Sequence, residues 1–140
     1  MWHREVPVES DLKPELVWQA LIGLETGVIP KANGDRHELD GILAVGDTLT
    51  SSSEGIPPIQ STIIELVEGE RFAIETNFGG LILVLRNTVS SLEGGRTRLV
   101  RRLEITGASE ADQAAIAGPR ISEDYPEAVA EVIAVAATME

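Results

Sequence analysis

The side chains able to do chemistry in this chain are few, and their spacing limits what they can do. There are two histidines, His3 and His37, and no cysteine. Thiol catalysis, thiolate metal sites and disulfides are therefore excluded. The histidines fall on different predicted strands, with no His-x-x-x-His or carboxylate spacing beside them, so no metal is expected. Serines are plentiful at Ser51 to Ser53, Ser90 and Ser91, but they lie near strand ends and turns, with no nucleophile elbow and no base partner. Gly79-Gly80 and Gly94-Gly95 read as hairpin turns and not as phosphate loops, because no helix follows either pair. What is left is acid–base or binding chemistry. His37 titrates near neutrality, and a carboxylate held in a cavity can have a raised pKa.

Polar residues on an otherwise apolar face are the other source of candidates. Side chains alternate between the two faces of a strand. In 96–106, Thr97, Leu99, Leu103 and Ile105 share a face with Arg101, and Arg96, Arg98, Val100, Arg102 and Glu104 face solvent. In 71–78, Phe72, Ile74, Thr76 and Phe78 fall together. In 81–89, Leu81, Leu83, Leu85 and Val89 fall together with Asn87, and in 35–40 His37 falls with Leu39. An inward polar group without a partner costs a few kcal/mol, of order 1–3. Two readings of His37, Thr76, Asn87 and Arg101 stand side by side. In one, Arg101 pairs with an acid of the C-terminal segment, and Asn87 and Thr76 bond backbone or water. In the other, these residues line a cavity and orient a ligand's oxygens, with the Tyr125 hydroxyl joining them. The apolar lining expected around them is Phe72, Ile74, Phe78, Leu83, Leu85, Leu99, Leu103, Val129 and Ile133.

The elements that must position these residues are legible from periodicity. Residues 2–8 read as a first strand. Ser10 and Asp11 offer N-cap oxygens, Pro14 suits a first helical turn, and Leu16, Val17, Ala20, Leu21 and Leu24 make an apolar stripe over a helix ending near Leu24. Residues 25–34 read as a loop. Strands are predicted near 35–40, 46–52, 59–68, 71–78, 81–91 and 96–106. They are separated by Asp40-Gly41, Glu54-Gly55 with Pro57-Pro58, Glu68-Gly69-Glu70, Gly79-Gly80 and Gly94-Gly95. Links this short make neighbouring strands antiparallel. The segment 108–139 is rich in Ala, Glu and Val. Ile121, Tyr125, Val129, Val132, Ile133 and Ala136 keep one stripe across Pro126, which predicts one kinked helix despite Gly118-Pro119. The order strand, helix, six strands, long helix is an α+β arrangement in which the C-terminal helix covers the buried sheet face.

Composition bounds the partners. The chain has 140 residues and is 43% hydrophobic, which suits one globular domain spanning 1–140 with a real core. Its net charge of −12 disfavours nucleic acid and anionic membrane surfaces. Residues 108–140 hold seven acids against Arg120 alone. The N-terminus lacks the apolar stretch of a signal peptide, and the longest strongly apolar run, Leu81 to Leu85, is too short to span a bilayer. A cytoplasmic protein is expected, either monomer or dimer.

Several segments together resemble a known superfamily. These are HREVPV at 3–8, PELVWQAL at 14–21, ELDGILAVGDTLT at 38–50, IIELVEGERFAIET at 63–76 and GGRTRLVRRLEITG at 94–107. In this order they resemble the START-like (SRPBCC) superfamily, in particular its bacterial polyketide cyclase/dehydratase and lipid-transport branch. The resemblance covers nearly the whole chain. It rests on Val17-Trp18, the Glu-Gly-Glu-Arg-Phe turn at 68–72 and the Gly-Gly-Arg-Thr-Arg-Leu hairpin at 94–99. It implies a helix-grip fold: a seven-stranded curved antiparallel sheet wrapped around a long C-terminal helix, with a cavity between them. It also implies binding or carriage of a small hydrophobic or aromatic molecule without a cofactor, or cyclase/dehydratase chemistry in the same cavity. In the latter case His37 or Tyr125 would carry the proton and Arg101 or Asn87 would hold an oxyanion. Two positions depart from the pattern. The stretch Glu25 to Gly34 has no aromatic residue, and Asn87 stands where relatives often have His.

Overall fold

The computed structural model describes residues 1–107 and 110–140. The elements run β1 (Trp2–Ser10), α1 (Pro14–Thr26), β2 (Arg36–Asp40), β3 (Thr48–Ser53), β4 (Ile56–Val67), β5 (Arg71–Phe78), β6 (Leu81–Ser91), β7 (Thr97–Gly107), α2 (Glu110–Ile121) and α3 (Tyr125–Ala137). The strands form one antiparallel sheet in the order β1-β7-β6-β5-β4-β3-β2. It is a meander from β2 to β7, closed at its far edge by β1 pairing with β7. The helices lie on its inner face. This is the helix-grip arrangement expected from the order of elements.

The predicted alternation holds across the sheet. Leu99, Leu103, Ile105 and Phe72 are buried. The outer face carries a ladder of charges running across the strands. Glu65 on β4 takes Arg71 and Arg86, each at 3.1 Å. Arg86 continues to Glu104 at 2.8 Å, and Arg102 binds Glu5 of β1 at 2.7 Å.

Three boundaries differ from the sequence expectation. The first helix runs through Glu25 and Thr26 to a left-handed cap at Gly27, φ 84°. A Cβ there would fall 1.7 Å from the carbonyl oxygen of His37, so glycine lets the helix end sit directly on β2. The fourth strand starts at Ile56 and includes Pro57-Pro58, which were expected to break the chain. They are tolerated because pairing with β5 begins only at Thr62, and the β3 register shifts between Ser51 and Ser53, opposite the two prolines. The C-terminal segment is two helices, not one kinked helix. Pro126 sits in the first turn of α3, and it has no N–H to donate back to the Ser122 carbonyl and continue the ladder from α2. The break at 122–124 is secured by Arg4, whose Nη1 donates to the Ser122 carbonyl at 2.7 Å. Gly118-Pro119, by contrast, does not interrupt α2. Gly118 serves packing there, since a Cβ would meet the Trp2 ring at 2.5 Å.

Among the described residues the core falls into two clusters. In one, Val17, Leu21 and Leu24 of α1 meet Val129, Val132 and Ala136 of α3 over Leu49, Ile63, Phe72, Val89 and Leu99. In the other, Leu81, Leu83, Leu103 and Ile105 pack with Ala114 and Tyr125.

Candidate functional site

Where the two clusters meet, the sheet and helices leave a cavity of about 260 Å³. It is lined by Ile59, Ile74, Phe78, Leu83, Leu85, Leu103 and Ile121, with Glu25, His37, Ser51, Ser61, Thr76, Arg101 and Tyr125 as its polar members. It adjoins an outer chamber of about 750 Å³ between the 31–35 loop and α3, with which it shares His37, Ser51, Arg101, Ile121 and Tyr125.

The charged end is built from three elements. Arg101 lies on β7, opposite Asn87 of β6. The extra helical turn of α1 brings Glu25 over it, and the start of α3 brings Tyr125. Arg101 Nη1 donates to Glu25 Oε1 at 2.8 Å and lies 3.5 Å from Asn87 Oδ1. The guanidinium carbon lies 4.5 Å from the centre of the Tyr125 ring, a cation–π contact. Lys31 Nζ stands 3.7 Å from the same Glu25 oxygen. Among the described residues, Glu25 Oε2 and Arg101 Nε are buried without a hydrogen-bond partner.

Electrostatics follow from this geometry. Burial alone would raise the Glu25 pKa, but the charge of Arg101, helped by Lys31 and His37, lowers it to about 2. Burial works against the Arg101 charge as well, and Glu25 overcomes it and raises the Arg101 pKa. Burial and the charge of Lys31 push His37 below its ordinary value, so its imidazole is neutral at pH 7. Burial raises the Tyr125 pKa, keeping its phenol protonated.

Away from the charges stand two uncharged polar pairs. Ser61 and Thr76 share a hydrogen bond at 2.6 Å. Ser51 Oγ lies 3.5 Å from His37 Nδ1, the outer limit of such a bond.

Of the polar positions expected from sequence, His37, Thr76, Arg101 and Tyr125 line the cavity, and Asn87 does not. Asn87 is buried behind Arg101 as its neighbour across the strands. Of the apolar positions, Ile74, Phe78, Leu83, Leu85 and Leu103 line the cavity. Phe72, Leu99 and Val129 are core residues instead, with Ile133 packed against them. The reason is the path of α3, whose apolar face meets α1 and so fills one end of the sheet. The cavity is left at the other end. The expected partner of Arg101, an acid of the C-terminal segment, is replaced by Glu25 of α1.

Sequence reasoning missed Glu25, Ser51, Ile59, Ser61 and Ile121 as lining. Glu25 carried a signal, since it follows Leu21 by four residues and so continues the buried stripe of α1. Ser61 shares the inner face of its strand with Ile59 and Ile63.

Neither a protein-family model nor a curated protein sequence matches this chain. Its fold is nevertheless shared with solved structures. Norcoclaurine synthase from Thalictrum flavum superposes with a TM-score of 0.73 at 15% identity, over 99% of this chain and 87% of that one. The same enzyme in complex with dopamine and hydroxybenzaldehyde gives a TM-score of 0.71 at 16% identity, over 94% and 83%. A structural-genomics protein from Mesorhizobium loti gives 0.68 at 18% identity, over 98% and 99%. At these identities the likeness concerns the fold. Among the described residues, no helix is long and apolar enough to cross a membrane.

Proposed function

We propose that this protein binds or carries a small, mainly apolar molecule in the inner cavity. The observation that carries this reading is the cavity itself. It holds about 260 Å³ of space between sheet and helices, with mostly apolar walls and a buried charged group at one end. Ligand sites have this character: apolar walls exclude water, and a few placed polar groups orient the guest. The volume suits a single-ring or short-chain molecule. Norcoclaurine synthase, which shares the fold, has been seen with dopamine and hydroxybenzaldehyde, and these are guests of that size. Native mass spectrometry of the purified protein tests the reading by detecting a co-purified small molecule. The Leu83→Trp variant fills the cavity from its sheet wall and abolishes that adduct while the fold persists. An adduct undiminished in this variant would place the ligand elsewhere.

A second reading, a cyclase/dehydratase-type enzyme, is favoured by one observation: His37, Tyr125 and Arg101 line the same cavity. A neutral imidazole can take a proton, and a guanidinium can hold an oxyanion. Turnover lost in His37→Gln with ligand binding retained separates this reading from carriage.

A further inference from the structure

The charged end of the cavity has more donors than acceptors. Arg101 brings five N–H donors and Lys31 three. The carboxylate between them is that of Glu25, and it meets both cations through Oε1 alone. Its pairing with Arg101 is therefore single and not the two-bonded fork that guanidinium and carboxylate form when fully matched. Asn87 Oδ1 is at 3.5 Å, and Arg101 Nε has no partner among the described residues. The Tyr125 ring covers one face of the guanidinium. Both cations are largely withdrawn from water, the side chain of Arg101 being 8% exposed and that of Lys31 12%. His37 is held neutral and adds no further cation. The two cations share one oxygen of Glu25, and Arg101 Nε is left without a partner among the described residues, an expensive arrangement for a buried donor unless something fills it.

We propose that the bound molecule carries a carboxylate at its polar end, received by Arg101 with Lys31 beside it. The proposal rests on the binding function above and narrows it to small aryl- or alkyl-carboxylic acids. A carboxylate matches the planar donor edge of a guanidinium better than a carbonyl or hydroxyl. An ammonium would add a third cation. The outer chamber opposes an anion on its way in, because Asp35, Asp124, Glu127 and Glu131 line it against Lys31 and Arg101. Salt screens that long-range repulsion more than the buried contact, so carboxylate affinity rises with ionic strength.

The test is calorimetric titration of the intact protein with four probes sharing one apolar body: phenylbutanoate, its amide, its alcohol and its amine. The acid binds about tenfold more tightly than the amide or alcohol, the difference between a charge-assisted and a neutral hydrogen bond. The amine binds weakest. Glu25→Gln removes the competing anion and tightens the acid without tightening the alcohol. Lys31→Met, at the cavity mouth, weakens the acid alone. Equal binding of all four probes, or preference for the amine, overturns the carboxylate assignment and leaves the binding function standing. Failure of every probe to bind overturns the binding function, and the assignment with it.

Discussion

Replacing Arg101 by methionine isolates the energetics of the buried pair. The substitution keeps most of the side-chain volume and removes the charge. Glu25 then stays buried, with Lys31 at 3.7 Å as its nearest remaining cation. Removing one partner of a buried pair costs about 3–5 kcal/mol, because the other charge is left uncompensated. The pH dependence gives an independent figure. In the native protein the Glu25 carboxyl falls from 4.5 to about 2. A folded-state pKa below the unfolded one means the contribution is complete above about pH 5. It is lost as pH falls toward 2, and at 1.36 kcal/mol per unit it amounts to about 3 kcal/mol. In Arg101→Met the lowering charge is gone and burial dominates, so the folded pKa rises above the unfolded one. The sign then reverses, and the variant gains stability on acidification from pH 7 toward 4. Urea unfolding followed by tryptophan fluorescence at pH 7 and 4.5 reads both effects. A loss under about 1 kcal/mol at pH 7, with a pH profile parallel to the native one, would refute the claim that the pair is buried and coupled.

Three further outcomes follow from packing and charge. Gly27→Ala forces a left-handed residue's Cβ onto the His37 carbonyl. It lowers stability by more than the ~1 kcal/mol of conformational strain alone, measured by thermal unfolding. Gly118→Ala drives a methyl group into the Trp2 ring. The ring must move, which shifts the tryptophan emission and costs about 1–3 kcal/mol. Glu104→Gln cuts the outer-face ladder between Arg86 and Arg102. The loss is only ~0.5–1 kcal/mol and shrinks at high salt, as denaturation midpoints at two ionic strengths will show.

Strand faces and turns were legible because their signals are local. The alternation around Arg101 and Arg102 separates a buried residue from one in a surface ladder two atoms of backbone pleat away, and period-two patterning alone makes that distinction. The seven strands and the covering C-terminal helical segment follow from the same pattern with short links. Helix ends were less legible. Glu25 looks like a loop residue because it is charged, yet its spacing from Leu21 continues the helix. The cap at Gly27 depends on the backbone of β2, ten residues further along. The break at 122–124 likewise draws on Arg4, more than a hundred residues away, which donates to the Ser122 carbonyl beside the Tyr125 N–H.

The amino-acid pattern by itself determined which side chains face inward and that Arg101 is a charge on an apolar face. Tertiary structure alone decided what Arg101 meets and which inward residues border open space. Periodicity assigns a residue to a face but does not say which two faces will touch. Here α3 lays Val129, Val132 and Ala136 against α1 as well as the sheet. Phe72 and Leu99 therefore became core, while Leu83, Leu103 and Arg101 were left around a cavity with Glu25 set over it.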